Sequence, residues 1–421
     1  MPVNAVKLTI SGGFGFGDLG DEAMLSEYLR CATEHLGLKR EQIFLVSANP
    51  DYTSSYHRHP RELCCRLPQE TMMLVNPPPK GKVKRAMSVI NHISIKRKLS
   101  ELAGFAQRSD GLLITGGGII NTRDEKGFSI KRIAGITRFF CAHGVPVFMS
   151  GQTIGPLGIN RMHDELAAEI VNSVDCLTVR DSFYSRRYLQ VVGGKPKELV
   201  ETIDDASALE ADFASVPAEW KSKLVPDSYI AFNVSEYTSD TAAKREFAAR
   251  LVDHLLRCCG MPVVMVAHAP IDYAALWEIF DLLQRDSKAN VHVPDTREWR
   301  AEQVKGLISR ASFALGGRYH FVVFSATAGV PFIGLAGNHY SYIKQDGFAR
   351  AFSLEHCILN PVETWDFAAV SARIEQIRGK KTVIAGKISY PLPSMLRFMD
   401  WLKQIEHAKT GDRKSTRLNS S

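Results

Sequence analysis

Ser11-Gly12-Gly13-Phe14-Gly15-Phe16-Gly17-Asp18-Leu19-Gly20-Asp21-Glu22 follows the apolar run Val6–Ser11 and opens an amphipathic stretch, Glu22–Leu36. A strand, a glycine turn and a helix in that order is how a parallel α/β sheet begins. Gly15, Gly17 and Gly20 also satisfy the dinucleotide fingerprint G-x-G-x-x-G. The surrounding chemistry argues against a dinucleotide. Pyrophosphate is drawn to the positive end of a helix dipole, and here Asp18, Asp21 and Glu22 would repel it. The acidic residue expected about 20 positions on is missing, because Ser47-Ala48-Asn49 stands there. Acids in a first helical turn contribute roughly 0.3–1 kcal/mol by themselves. They leave unexplained five glycines within residues 12–20. Such a run implies close backbone approach, either to a ligand or to the next strand. The turn therefore has two readings, a site for a neutral, hydroxyl-rich ligand or a purely structural turn.

Beyond this turn, short apolar runs alternate with helical-period stretches. Gln42–Ser47, Gly111–Thr115, Val145–Ser150 and Cys176–Val179 read as strands, with helices over Ser129–His143, His163–Ser173 and Ser182–Val191. The pattern loosens at Leu209–Pro226. A second set follows, with strands at Tyr229–Val234, Val263–Ala267, Val291–Val293, Phe313–Leu315 and Phe332–Leu335. Helices at Ala242–Cys259, Tyr273–Gln284, Arg300–Ser309 and Phe321–Ala328 separate them. The expected architecture is α/β, with two Rossmann-like domains facing a cleft: residues 1–209 and 210–391. A C-terminal helix over 392–411 would cross back to the first domain. Asp412–Ser421 lacks periodicity and looks like a translated sequencing-library adapter, so it is set aside as a non-native tail.

Composition is that of an ordinary folded protein: 421 residues, 45% hydrophobic and 23% charged. The net charge is +7, and the tail's three bases against Asp412 leave a body of +5, too mild to imply nucleic acid. The N-terminus shows no signal-peptide pattern. The longest nearly apolar stretch, Phe321–Gly337, is broken by Ser325, Thr327, Gly329 and Pro331. It is too short to span a bilayer. Eight cysteines occur, with adjacent pairs at Cys64–Cys65 and Cys258–Cys259 but no C-x-x-C. That fits neither a zinc cluster nor a disulfide framework, so a cytoplasmic chain with reduced thiols is expected.

Several blocks share one resemblance. Gly20-Asp21-Glu22-Ala23-Met24-Leu25 and Thr115-Gly116-Gly117-Gly118-Ile119-Ile120-Asn121 are similar to motifs of the polysaccharide pyruvyl transferases. Gly151-Gln152-Thr153-Ile154-Gly155-Pro156-Leu157 resembles that family's Gln-x-Ile-Gly-Pro turn, and Thr178-Val179-Arg180-Asp181-Ser182 its Val-Arg-Asp/Glu segment. Gly317-Arg318-Tyr319-His320, followed by Ser325–Pro331, resembles its Arg-x-His block. The blocks keep the family's order across about residues 6–340. Two positions depart: Asp18 stands where the family usually has Asn, and Ile203-Asp204-Asp205-Ala206-Ser207 where it often has Asp-Pro-Ala. The resemblance implies a fold like that of GT-B glycosyltransferases. It also implies transfer of pyruvate from phosphoenolpyruvate onto two hydroxyls of a saccharide, forming a cyclic ketal on a bacterial surface polysaccharide or its precursor. The scheme requires no cofactor and no metal, and no ligand spacing such as H-E-x-x-H occurs.

The residues can be matched to that chemistry. Phosphoenolpyruvate carries a carboxylate and a phosphate, and arginine binds each with a planar fork that stays charged. Arg318 and His320 follow a strand and precede a helix, where open α/β sheets hold anions. Gly317 allows close backbone approach. If the chain is still extended there, residues two apart point to one side. Arg180 ends a strand of the first domain and is expected to reach the cleft from the opposite wall. Histidine titrates near neutral pH, so His320 is the candidate acid for the methylene carbon. Asp18, Asp21 and Glu22 are candidates for orienting or deprotonating acceptor hydroxyls, with no choice among them. The donor site is thus expected on the second domain and the acidic turn on the acceptor side. Gly116, Gly117 and Gly118 would shape the cleft floor, with Gln152 and His268 also lining it. Plain structural roles stand beside each: a loop pair for Arg318 and His320, an Arg180–Asp181 ion pair, a loop histidine for His268.

Lys80, Lys82, Lys84, Arg85, Lys96, Arg97 and Lys98 form a run with no acid between Lys80 and Ser100. It reads as a solvated helix face or as a peripheral contact with anionic lipid at the inner face of the membrane, suited to a lipid-linked acceptor. Without interleaved aromatics it does not suggest nucleic acid. Rival functions are a glycosyltransferase using a nucleotide sugar, a non-catalytic saccharide-binding protein and a dehydrogenase. The acidic turn counts against the last.

Overall fold

The structure, a computed structural model, describes residues 5–68, 99–123, 125–360, 366–377 and 388–418. It divides into two compact units. One comprises Met1–Gly15, Leu25–Thr202 and Pro391–Ser421, the other Phe16–Met24 and Ile203–Tyr390.

The first unit holds β1 (Leu8–Ser11), β2 (Ile43–Ser47), β3 (Cys64–Arg66), β4 (Gly111–Ile114), β5 (Gly117–Ile120), β6 (Val147–Ile154), β7 (Cys176–Val179) and β8 (Leu199–Glu201). They form one sheet in the order β3-β2-β1-β4-β6-β7-β8, with β5 paired to β6. Every pairing is parallel; Leu8 faces Ile43 on one side and Gly111 on the other. All eight residues of β6 are buried. Helices cover both faces of such a sheet, so its strands read as continuous apolar runs rather than alternating ones.

The second unit holds β9 (Ile230–Asn233), β10 (Val263–Met265), β11 (Val291–His292), β12 (Phe313–Gly316), β13 (Phe332–Leu335) and β14 (Ile358–Leu359), in the order β11-β10-β9-β12-β13-β14. This is the doubly wound order, and it reverses direction between β9 and β12. Ligands of open α/β sheets bind beyond the carboxyl ends of the strands at that switch point.

The division differs from the expected boundary at 209/210. It falls at Thr202/Ile203, and residues 16–24 group with the second unit. The cause is apolar packing: Leu19, Ala23 and Met24 join the second unit's core, and the Leu19 amide donates to the His268 carbonyl at 2.9 Å. The acidic turn therefore shares a unit with Arg318 and His320, and is not carried by the unit expected to hold the acceptor.

The C-terminal helix returns to the first unit, as expected. Phe398 packs edge-on to Tyr28 and Phe148, at 5.2 and 5.7 Å between ring centres. A Cβ on Gly111 would lie 2.6 Å from the Trp401 ring, so the glycine makes room for the helix. The helix spans Pro393–Leu418, longer than the expected 392–411 and including residues 412–418 of the presumed tail. The basic run 80–98 lies outside the described residues. All eight cysteines are free thiols, five of them buried. No described helix is long and apolar enough to cross a membrane.

Candidate active site

The second sheet's switch point is built from the ends of β9 and β12. After Gly316 the chain turns at Gly317, where a Cβ would lie 2.5 Å from the Thr238 hydroxyl and 3.0 Å from the Ser235 amide. Glycine lets these segments meet. Arg318 follows as the N-cap of the helix Tyr319–Thr327, with extended backbone (φ −76°, ψ 135°). Its amide donates to the Asn233 side chain at 3.0 Å. Its Nε and Nη2 donate to Asp272 at 3.0 and 2.6 Å. Asp272 is pinned in turn by the amides of His268 and Ala269, both at 3.0 Å. Nη1 lies 3.7 Å from Asp18, and Nη2 also lies 3.6 Å from Glu236. Burial opposes the guanidinium's charge, but Asp272, Asp18 and Glu236 outweigh it and hold the proton more firmly than usual. Burial likewise pushes the Asp272 carboxyl up, against the pull of Arg318. The sequence suggested an arginine fork open to an anion. The fork is closed on Asp272, leaving Nη1 as the side not bonded to it.

His320 is already helical, so strand alternation does not relate it to Arg318. Its Nε2 lies 3.7 Å from Asp204 and its Nδ1 4.0 Å from Asp18. The imidazole packs on Gly20, where a Cβ would fall 1.8 Å from Nδ1. The glycine that completes the fingerprint thus serves a side chain of its own protein. Asp18 Oδ1 accepts from the Gly20 amide at 3.0 Å. Burial pushes the Asp18 carboxyl up, but Arg318, His320 and His268 bring it below its ordinary range. Asp21 goes the other way. Burial first, then the charges of Asp18 and Glu22, push its carboxyl up to about 7. The two acids of one turn are therefore split into a firm carboxylate and a group titrating near neutrality, the usual signature of acid and base roles. Glu22 is fully buried, its amide bonded to the Asp18 carbonyl at 3.0 Å.

His268 does not line an open surface. It is 1% exposed, its ring edge-on to Phe321 and tilted against Phe324 at 5.5 and 5.3 Å between ring centres. Neither ring nitrogen has a hydrogen bond among the described residues, and burial lowers it to about 3, so it is neutral. Its contribution is its backbone, which holds Asp272 and Leu19.

The remaining sequence candidates lie in the first unit. Gly117 takes φ +157° at the start of β5, facing Gln152 of β6. The Gln152 amide donates to the carbonyls of Thr115 and Ser150, at 3.1 and 2.7 Å. Gly118 offers its carbonyl to the Asn121 side chain, and Gly116 links β4 to β5. Arg180 is 1% exposed with Nε on the Thr153 hydroxyl at 2.9 Å. Asp181 caps the helix Ser182–Val192 by accepting from the Tyr184 and Ser185 amides at 2.8 and 3.1 Å. The structure thus brings together Asp18, Asp21, Glu22, Gly317, Arg318 and His320, while Gly116–Gly118, Gln152 and Arg180 belong to the other unit.

Sequence reasoning missed Asn233, Glu236 and Asp272, and noted Asp204 only as a departure from a motif. A signal existed for Asp272, four residues after His268 in a strand-to-helix turn. Among the described residues, no group of three or more His, Cys, Asp and Glu could hold a metal ion.

A family model described as polysaccharide pyruvyl transferase matches residues 19–339. The chain belongs to the polysaccharide pyruvyl transferase family. The matched span begins at the acidic turn and runs past the Arg-x-His block. A search of curated protein sequences gave no match. Among solved structures, the UDP-GlcNAc 2-epimerase of Methanocaldococcus jannaschii is similar at a TM-score of 0.58 and 13% identity, over 89% of this chain and 94% of that one. The UDP-N-acetylglucosamine 2-epimerase of Rickettsia bellii follows at 0.55 and 11%, over 97% and 96%. UGT73P12 of Glycyrrhiza uralensis, complexed with glycyrrhetinic acid 3-O-monoglucuronide, also gives 0.55 and 11%, over 99% and 100%. At these identities the likeness is one of fold: a pyruvyl transferase family member on a GT-B-type pair of α/β domains.

Proposed function

We propose that this enzyme transfers pyruvate from phosphoenolpyruvate to two hydroxyls of a saccharide, on a surface polysaccharide or its precursor. The observation that carries the reading is His320, set at the start of a helix at the second sheet's switch point, between the carboxylates of Asp18 and Asp204, with Arg318 two residues earlier. Protonation of the donor's methylene carbon makes the adjacent carbon electrophilic. One hydroxyl oxygen bonds to that carbon, phosphate leaves, and the second hydroxyl oxygen closes the ketal. Of the two hydroxyl protons, one balances the new methyl group and the other leaves with phosphate. His320 supplies the proton to carbon, and Asp21, whose carboxyl titrates near neutrality, accepts one from a hydroxyl. Arg318 meets the donor's anionic groups through Nη1 and the amides at its helix N-terminus. Arg180 and Gln152 are assigned to substrate on the family resemblance. No cofactor enters the scheme. The chain works in the cytoplasm, and residues 80–98 supply a contact with anionic lipid when the acceptor is lipid-linked.

The test is donor binding and turnover. Calorimetry with phosphoenolpyruvate and single-turnover phosphate release should show Arg318→Ala losing roughly tenfold to a hundredfold in affinity, the worth of a charged hydrogen bond of about 1.5–3 kcal/mol. Arg318→Lys should recover only part of it. Wild-type affinity in a folded Arg318→Ala variant would remove the donor from this site. The nucleotide-sugar alternative would then be tested with UDP-GlcNAc, a ligand of a similarly folded epimerase.

A further inference from the structure

We propose that Asp204 is a positioning residue for His320: it keeps a proton on Nε2, so that Nδ1 is the nitrogen that works. The inference rests on the pyruvyl-transfer reading for its kinetic consequence, but its structural content is independent of the donor. Asp204 is fully buried. One carboxylate oxygen, Oδ1, accepts from the Ala206 amide at 2.9 Å and fixes the carboxylate's orientation at the start of the short helix Asp205–Ala208. The other, Oδ2, lies 3.7 Å from His320 Nε2. That nitrogen is enclosed by protein and has no hydrogen bond among the described residues, whereas Nδ1 lies over Gly20 and 4.0 Å from Asp18.

The two nitrogens are therefore not equivalent. At 3.7 Å the Asp204 contact is longer than a hydrogen bond. Catalytic contacts often tighten only when substrate binds, and a carboxylate, which can only accept, orients a hydrogen onto the nitrogen it faces. A neutral His320 with its hydrogen on Nε2 leaves a lone pair on Nδ1, on the side of Asp18 and Gly20. Nδ1 is then the nitrogen that carries the exchangeable proton: it gives that proton to the methylene carbon and takes one from a hydroxyl as the ketal closes, while Asp21 passes the other hydroxyl proton to phosphate, so the ring ends each turnover as it began. The charged and titratable groups that meet the ring include Asp18 and Asp21 from the glycine turn, Asp204 after β8, the neighbouring Tyr319 at 5.0 Å between ring centres, and the neutral His268. Asp204 is paired with Nε2, and Asp18 lies nearer Nδ1. The arrangement follows the logic of a carboxylate that orients a catalytic histidine without itself taking the proton.

The experiment labels the chain's 13 histidines with 15N and reads ring tautomers at pH 8.5, assigning His320 by the signal lost in His320→Asn. Wild type should show His320 with its proton on Nε2. Asp204→Asn replaces an acceptor by an amide that can donate, so the proton should move to Nδ1. Single-turnover phosphate release from phosphoenolpyruvate should fall about a hundredfold, with donor affinity changed by less than about twofold. Asp204→Glu keeps the carboxylate and should restore the tautomer and part of the rate, which a packing role would not do. An unchanged tautomer in folded Asp204→Asn, with or without a fall in rate, overturns the proposal. If wild type fails to turn over phosphoenolpyruvate, the function falls, while the ring measurement still decides what Asp204 does.

Discussion

Arg318 shows how one side chain is tuned by its neighbours. Its fork is closed on Asp272, so the charge offered to a donor is what Nη1 presents, and Asp18 already sits 3.7 Å from it. An incoming anion competes with that carboxylate. Asp18→Asn keeps the shape and removes the competition, so phosphoenolpyruvate affinity should rise roughly threefold to tenfold, about 1 kcal/mol for a partly solvated pair. Calorimetry showing weaker binding would mean that Asp18 helps hold the donor. Asp21 makes the complementary case. Its carboxyl rises from an ordinary 3.8 to about 7. The folded state then holds a proton that the unfolded chain releases. Stability from this group is full below about pH 4 and is lost as pH rises to about 7, at no more than about 1.4 kcal/mol per unit. Asp21→Asn removes the loss. Its melting temperature relative to wild type should climb between pH 4 and 7 and level off above. A flat difference across that window would place the Asp21 carboxyl in its ordinary range. The acidic glycine turn and the Arg318–His320 pair were legible in the sequence, because charge and glycine spacing are local. Asp272 was not, since it meets Arg318 from 46 residues away and only the sheet, which sets the ends of β10 and β12 on either side of β9, brings them together.

Elements were legible where period and length agreed. Cys176–Val179, Phe332–Leu335 and Ala242–Cys259 have the bounds the sequence suggests. β3, β5, β8 and β14 did not appear as runs, being two to four residues long; Gly117-Gly118 at the start of β5 and the half-buried β8 lack the apolar signal that marks a strand. The segment after Arg180 is the instructive one. Asp181 read as an ion-pair partner for Arg180, but its carboxylate caps the helix Ser182–Val192 and also accepts from the Ser185 hydroxyl at 2.6 Å. Cap chemistry needs only an acid one residue before a helix, which the sequence displays and the charge-pair reading obscured. Asp181→Ala should cost about 1 kcal/mol, lowering the melting temperature by roughly 2–4 °C, without altering donor affinity. A drop in affinity with unchanged melting would return Asp181 to the substrate-binding machinery.

At the scale of the molecule, two parallel sheets follow from the alternation of apolar runs and helices, but the crossing of the chain between units does not. Residues 16–24 and the C-terminal helix are each assigned to a unit by a few apolar side chains, a signal that composition at the boundary cannot carry. For the helix those side chains are Met395, Phe398, Trp401 and Leu402, all at or below 4% exposure. Arg397 adds a pair with Glu198 at 2.6 Å and Lys409 one with Asp110 at 2.7 Å. Burying a large apolar side chain is worth about 1.5–3 kcal/mol, so the four together are of the order of a domain's whole net stability of about 5–15 kcal/mol. Ending the chain after Tyr390 should therefore leave the first unit unable to fold, seen by calorimetry as loss of its transition and by amide exchange as loss of protection in β4 and β6. Ending it after Gly411 keeps every one of these contacts, and its melting temperature should match the full chain's. Retained protection in the shorter form would mean that the first sheet closes its core without the helix. A large fall in the longer form would mean that residues 412–421, read from sequence as a foreign tail, contribute to the fold.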